Sequence, residues 1–258
     1  MPKPKILILR AAGVNCNAET AFAFEKAGAE TREVHVNALL ERPELLKEFG
    51  GVAVPGGFSY GDDLSAGKIL AVEIGDALGD AFRAHVARGG IIFGACNGFQ
   101  VLIKTGLLPG AEPGKPAVRA TLTDNLSNRY EDRWVRVAVN SRRSVFVSDD
   151  EPIDLPVAHG EGRFLTATKE DLERLETTDR VVFRYLSPEG GEAAYPHNPN
   201  GSVNGIAGIC DITGQVLGLM PHPERFVRSR QHPRHFRDRS RAVGDGLRIF
   251  ENAVKHLR

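Results

Sequence analysis

From Lys5 to Phe93 the chain alternates short apolar runs with segments of helical spacing, and this alternation limits its fold more than any other feature of the 258 residues. Lys5-Ile-Leu-Ile-Leu9 suits a buried strand; Ala18 to Ala27 carries apolar residues at helical spacing and stops at Gly28. The pattern recurs through Thr31 to Val36, Leu39 to Phe49, Gly51 to Val54, Lys68 to Ala87 and Gly90 to Phe93, with Gly or Pro at most junctions. Strands that alternate with helices are joined by crossovers, so they lie parallel and are covered on both faces. Beyond about Pro109 the signal changes to shorter β-rich pieces, Trp134 to Val139, Val181 to Tyr185, Ile206 to Ile212 and Val216 to Met220, which should extend or flank the same sheet. Gly244 to Leu257 reads as a closing amphipathic helix. The expected fold is α/β, with a mainly parallel central sheet and helices on both faces. With no internal repeat and no long linker, residues 1–258 should form a single domain.

Composition narrows the function. A content of 41% hydrophobic and 26% charged residues supports one substantial core. Lys plus Arg equals Asp plus Glu at 33 each, so net charge supplies no general attraction to nucleic acid or anionic membrane, and neither is expected as a partner. The apolar stretch Ile6 to Leu9 is too short for a signal-peptide core and no later run approaches a membrane span, so the expected location is the cytoplasm. Three cysteines at irregular spacing make no disulfide framework in such a compartment. Cys210 falls within an apolar run and reads as core. Cys16, in Gly-Val-Asn-Cys-Asn, follows the first strand near a site rim, where a structural role outweighs a catalytic one because no elbow surrounds it. His232 and His235 have a conceivable ligand spacing, but no cluster completes it, and no metal is expected.

In open α/β sheets ligands gather at the carboxyl ends of the strands. Three such ends carry chemistry. Gly94-Ala-Cys-Asn-Gly98 directly follows an apolar run and has the form of a nucleophile elbow, a sharp strand-to-helix turn that needs glycines for close backbone approach. A helix N-terminus there would stabilise a thiolate at Cys96, and the amide of Asn97 would face a tetrahedral oxyanion. The pentapeptide is also compatible with a buried structural cysteine beside packing glycines. Val54-Pro-Gly-Gly-Phe-Ser-Tyr-Gly-Asp-Asp63 offers Gly56 and Gly57 as further backbone donors, or an ordinary turn. Leu217-Gly-Leu-Met-Pro-His-Pro-Glu224 places His222 and Glu224 two residues apart, on one side of an extended chain. Alone the tripeptide fits a surface turn; beside an elbow cysteine it completes a Cys96/His222/Glu224 triad, with His222 as proton carrier and Glu224 orienting it.

The elbow Gly94 to Gln100, the upstream Pro-Gly-Gly loop and the downstream His-Pro-Glu together resemble class I glutamine amidotransferases. Within that family, the blocks beginning at Gly56 and Ala95, Ala158-His-Gly-Glu-Gly-Arg-Phe164 and Asn198-Pro-Asn-Gly-Ser202 are similar to the branch of purine biosynthesis, the glutaminase subunits of phosphoribosylformylglycinamidine synthases. The resemblance runs from about residue 5 to 226. It implies a flavodoxin-like α/β domain in which Cys96 attacks the glutamine side-chain amide, forms a thioester and releases ammonia. It further implies a large synthetase subunit as partner, a small accessory subunit, and ATP and magnesium bound on the synthetase, with no cofactor on this chain. Carried over residue by residue, it sets Gln100 and the backbone around Gly57 near the glutamine. His159, Glu161 and Arg163 then form a glycine-punctuated loop that gates the site or touches the synthetase.

One departure from compact members of the family is Arg225 to Arg241, with seven arginines, two histidines and one aspartate, read as an insertion before the last helix. A solvated loop or a protein contact is expected, since only Phe226 and Phe236 interrupt the charge and RNA would want an aromatic platform. Two other functions stay open: a free-standing γ-glutamyl cysteine hydrolase, and a non-catalytic regulatory or binding subunit.

Overall fold

A computed structural model describes residues 2–237 and 241–258. The first part of the chain realises the alternation: β1 (Lys5–Arg10), α1 (Asn17–Lys26), β2 (Glu30–His35), α2 (Val36–Glu41), β3 (Gly51–Val54), α3 (Lys68–Ala87), β4 (Ile91–Ala95) and α4 (Asn97–Lys104). The helix expected over 39–49 is two pieces: α2 ends at Glu41 and a 3-10 turn covers Pro43–Glu48. Pro43 has no N–H for a helical ladder and pushes Arg42 out of the helical region, to φ −139° and ψ 75°.

The rest of the chain adds β5 (Ala120–Thr123), β6 (Glu131–Val139), β7 (Ile153–His159), β8 (Arg163–Thr166), α5 (Lys169–Thr177), β9 (Val181–Tyr185), β10 (Ile206–Cys210), β11 (Val216–Leu219) and α6 (Leu247–His256). Nine strands form one sheet in the order β2-β1-β3-β4-β11-β10-β9-β6-β7, and β5 pairs with β8 in a separate ribbon. The run from β2 to β11 is parallel throughout; β10, β9, β6 and β7 continue it as an antiparallel wing. The late β-rich pieces therefore extend the sheet, through β11, which lies directly beside β4.

Each strand's two-residue period feeds two apolar layers. In β1, Leu7 and Leu9 join the layer under α3 and α4, and Ile6 and Ile8 join the layer under α1 and α6. The second layer is anchored by Phe24, Phe93 and Phe250, with Phe250 edge-on to Phe24 at 4.9 Å and to Phe93 at 5.3 Å between ring centres. These layers fix the carboxyl ends of β3, β4 and β11 as neighbours, since β4 pairs with both of the others.

Candidate active site

β4 ends at Ala95 and α4 begins at Asn97, so the whole reversal falls on Cys96, which has φ 51° and ψ −109°. A side-chain-bearing residue at positive φ is strained and persists only where its surroundings hold it. Here they do: Cys96 N–H donates to Leu219 O at 2.8 Å, and Gln100 N–H donates to Cys96 O at 3.1 Å. Gly98 permits the turn, because a Cβ there would lie 1.8 Å from Val54 O at the end of β3. The Cys96 Sγ lies 3.7 Å from Ala158 O, at the end of the wing.

His222 follows β11 by three residues and is fixed by its N–H to Pro156 O at 2.8 Å. The chain does not stay extended: Pro223–Arg225 is a 3-10 turn, and this turn brings Glu224 back to His222. Nδ1 of His222 and Oε1 of Glu224 are 2.6 Å apart, both side chains being buried. With Nδ1–H given to the carboxylate, Nε2 is the nitrogen left to take up or release the second proton, within reach of the Cys16 and Cys96 thiols. Burial opposes a charge on His222, but the negative charge of Glu224 and that of an ionised Cys96, with the thiols of Cys16 and Cys96 close by, outweigh it and hold its pKa well above the ordinary value.

Cys16 is not at a rim. It is fully buried beside His222, its Sγ accepting from Nη2 of Arg225 at 3.0 Å. Gly56 lies between them: a Cβ there would come within 2.9 Å of Cε1 of His222 and 3.3 Å of Sγ of Cys16. Ligand atoms of Cys16, His222 and Glu224 all fall within 4.8 Å of one another. All three residues are already engaged, His222 and Glu224 with each other and Cys16 with a guanidinium cation, so the cluster reads as part of the packing around His222.

In front of Cys96 opens a cavity of about 230 Å³, lined among others by Gly57, Gln100, Asp62 and Tyr130. That is below the range of about 300–1,000 Å³ usual for drug-sized ligands and suits a single amino acid. Gly57 has φ +136°, a conformation closed to other residues, and pairs as an isolated bridge with Val14. Asn97 ties the walls together. Its Nδ2 donates to Oδ1 of Asp62 at 3.0 Å and to Oε1 of Gln100 at 3.1 Å, while its Oδ1 accepts from Ser59 N–H at 3.4 Å. Gln100 in turn donates from Nε2 to Glu161 O at 2.5 Å. Burial raises the pKa of Asp62, opposed by hydrogen bonds from Gly67 N–H and Asn97 and by the charge of Lys104.

The expected loop at Ala158 to Phe164 is a strand, a tight turn and a strand: His159 ends β7, Glu161 lies in the turn and Arg163 begins β8. His159 and Glu161 line the cavity, and the Glu161 carboxylate accepts from Ala66 N–H at 3.2 Å. Arg163 is directed elsewhere, its Nε donating to Gly201 O at 3.2 Å. Nothing in the sequence pattern points to Asp62 or Tyr130: Tyr130 precedes a strand whose start no apolar run announces, and Asp62 is one of several polar residues in the block after Gly56.

A family model described as the CobB/CobQ-like glutamine amidotransferase domain matches residues 3–257. The chain belongs to this family. The amidotransferase is 49% identical to the phosphoribosylformylglycinamidine synthase subunit PurQ of Dehalococcoides mccartyi, over 100% of this chain and 99% of that one. It is 42% identical to the protein of the same name from Methanococcus maripaludis, over 98% of each. Among solved structures, that of PurLQS from Thermotoga maritima is similar with a TM-score of 0.74 at 29% identity, over 99% of this chain and 100% of that one. No helix of the described residues is long and apolar enough to cross a membrane.

Proposed function

We propose that this amidotransferase is the glutaminase subunit of a phosphoribosylformylglycinamidine synthase: it hydrolyses glutamine to glutamate and ammonia and supplies the ammonia to an ATP-dependent synthetase of purine biosynthesis. The observation that carries the reading is the strained Cys96 on the wall of a cavity sized for one amino acid, with the buried His222–Glu224 pair close enough behind it for their charges to interact.

His222, through Nε2, takes the thiol proton of Cys96, and Sγ attacks the glutamine Cδ. The oxyanion meets the N–H groups of Asn97 and of the Gly56-Gly57 turn. Collapse breaks the C–N bond as His222 returns its proton to the leaving nitrogen, giving ammonia and a γ-glutamyl thioester. A water deprotonated by His222 then cleaves the thioester, and Cys96 regains its proton. Gln100, tied to Asn97 and Glu161, shapes the amino-acid end of the cavity, and the Glu161–Ala66 hydrogen bond closes its wall. Ammonia lost to neutral water would be protonated and unreactive as a nucleophile, which favours a docked synthetase carrying the ATP and magnesium, with a small accessory subunit in the complex and all parts in the cytoplasm.

The test is glutamate release by the purified chain, with and without the synthetase and its ribonucleotide substrate. The expected result is a rate that rises with the complete complex and disappears in Cys96→Ala. Equal rates that ignore both the partner and Cys96 would sink the proposal.

A further inference from the structure

Asn125 fixes the tautomer of His159. Its Nδ2 donates to two backbone carbonyls, Arg129 O and His159 O, each at 2.8 Å. Its Oδ1 is therefore an acceptor, and it receives Gly162 N–H at 3.0 Å and faces Nδ1 of His159 at 3.1 Å. Two acceptors cannot share that contact, so Nδ1 carries the hydrogen and Nε2 holds a lone pair. That Nε2 is buried and has no partner among the described residues, although the side chain is only 3% exposed and lines the cavity with Cys96. A buried acceptor left without a donor is costly, and one that survives calls for an explanation such as a catalytic role.

The position is next to the chemistry. His159 follows Ala158, whose carbonyl faces the Cys96 thiol, and a charge on His222 is near enough to act on the His159 ring. From these contacts we infer that His159 Nε2 accepts an N–H of the leaving amide nitrogen, holding it while the C–N bond breaks and receiving the ammonia formed. This rests on the reading of Cys96 as nucleophile. No proton moves to His159: burial, with the His222 charge behind it, pushes its pKa down to about 3. A ring that stays neutral accepts a hydrogen bond from ammonia without turning it into ammonium.

The experiment compares glutamine with glutamate γ-methyl ester, whose leaving oxygen carries no N–H but which keeps the same amino-acid end, using the chain assembled with its synthetase. His159→Asn keeps a donor toward Asn125 and withdraws the acceptor from the Nε2 position; His159→Gln places an amide oxygen near that position. A transition-state hydrogen bond of about 1.4 kcal/mol corresponds to roughly tenfold, so the ratio of kcat/KM for amide to ester should fall about tenfold in His159→Asn and recover in part in His159→Gln. The ratio is insensitive to the folded fraction of either variant. An unchanged ratio, or equal losses on both substrates as expected if His159 served only the fold or the α-ammonium group, would overturn the inference. Absence of any Cys96-dependent turnover in the wild type would instead remove the underlying reading.

Discussion

At Glu224 a single carboxylate decides between two opposed effects. Burial alone would keep His222 neutral; the negative charge of Glu224, in contact at 2.6 Å, does most to reverse this. Glu224→Gln keeps the shape and removes the charge, so the imidazolium formed when His222 takes the Cys96 proton loses its counter-ion. The expected outcome is a fall in glutaminase kcat of about 10²–10⁴-fold with a small change in KM, read by steady-state kinetics in the assembled complex. A kcat within about twofold of wild type would remove Glu224 from its orienting role. The residue pattern announced this pair but not its geometry. Two-residue spacing was read as extended chain, whereas Pro223 starts a tight turn that makes the contact. Asn125 carries no signal at all, and Cys16 none beyond its place after the first strand, because what matters in each is a neighbour far away in sequence.

At the scale of elements, the junction of α3 and β4 holds a second neutral histidine. His85 accepts from Nη2 of Arg88 at Nδ1, at 2.7 Å, and faces Ile91 O from Nε2 at 3.2 Å, so its Nε2 carries the hydrogen. Burial, then the Arg88 charge, lowers its pKa to about 4. The unfolded chain binds this proton near pH 6.5 and the folded one does not, so the stabilisation is complete above about pH 6.5 and is lost as pH falls toward 4. The loss amounts to at most about 3 kcal/mol, and His159 adds to the same slope. Denaturant midpoints at pH 7 and pH 4.5 should differ more for wild type than for His85→Gln; equal differences would contradict the assignment. Elements with strong periodicity, such as α3, were legible from the sequence. β7 was not, since Pro156 interrupts it, a residue tolerated only because β7 ends the sheet. α5 is almost wholly polar outside Leu172 and Leu175, and is marked chiefly by its Thr168 cap on Asp171 N–H at 3.1 Å.

Across the whole molecule, α6 is fastened to the face behind the elbow strand through Phe250. Phe250→Ala should cost about 3–5 kcal/mol, measured by chemical denaturation, because the ring fills a site between α1 and β4 that cannot easily collapse. A loss under about 1 kcal/mol would show that α6 is held by other contacts. The alternation of strands and helices made the parallel half readable, while the antiparallel wing depends on long-range pairing that no local pattern encodes. The arginine-rich stretch is solvated along its middle, where Arg230, Arg234 and Arg237 are exposed, and is tied down toward its ends. Arg225 reaches Cys16 and Glu19, Arg228 lies over the Phe22 ring at 4.3 Å, and Arg241 pairs with Asp154 and Asp245. Arg239 lies outside the described residues.

β11 has one consequence for the order in which this protein comes into being. It is the strand that joins β4 to β10, and it is made far later than the β4 and α4 that frame Cys96. During synthesis the thiol leaves the ribosome long before the residues that would deprotonate it, and the two halves of the sheet cannot be bridged until Val216–Leu219 arrives. Under the proposed mechanism an unfinished chain thus carries an unarmed cysteine, and the strand that bridges the sheet also brings the base to the thiol.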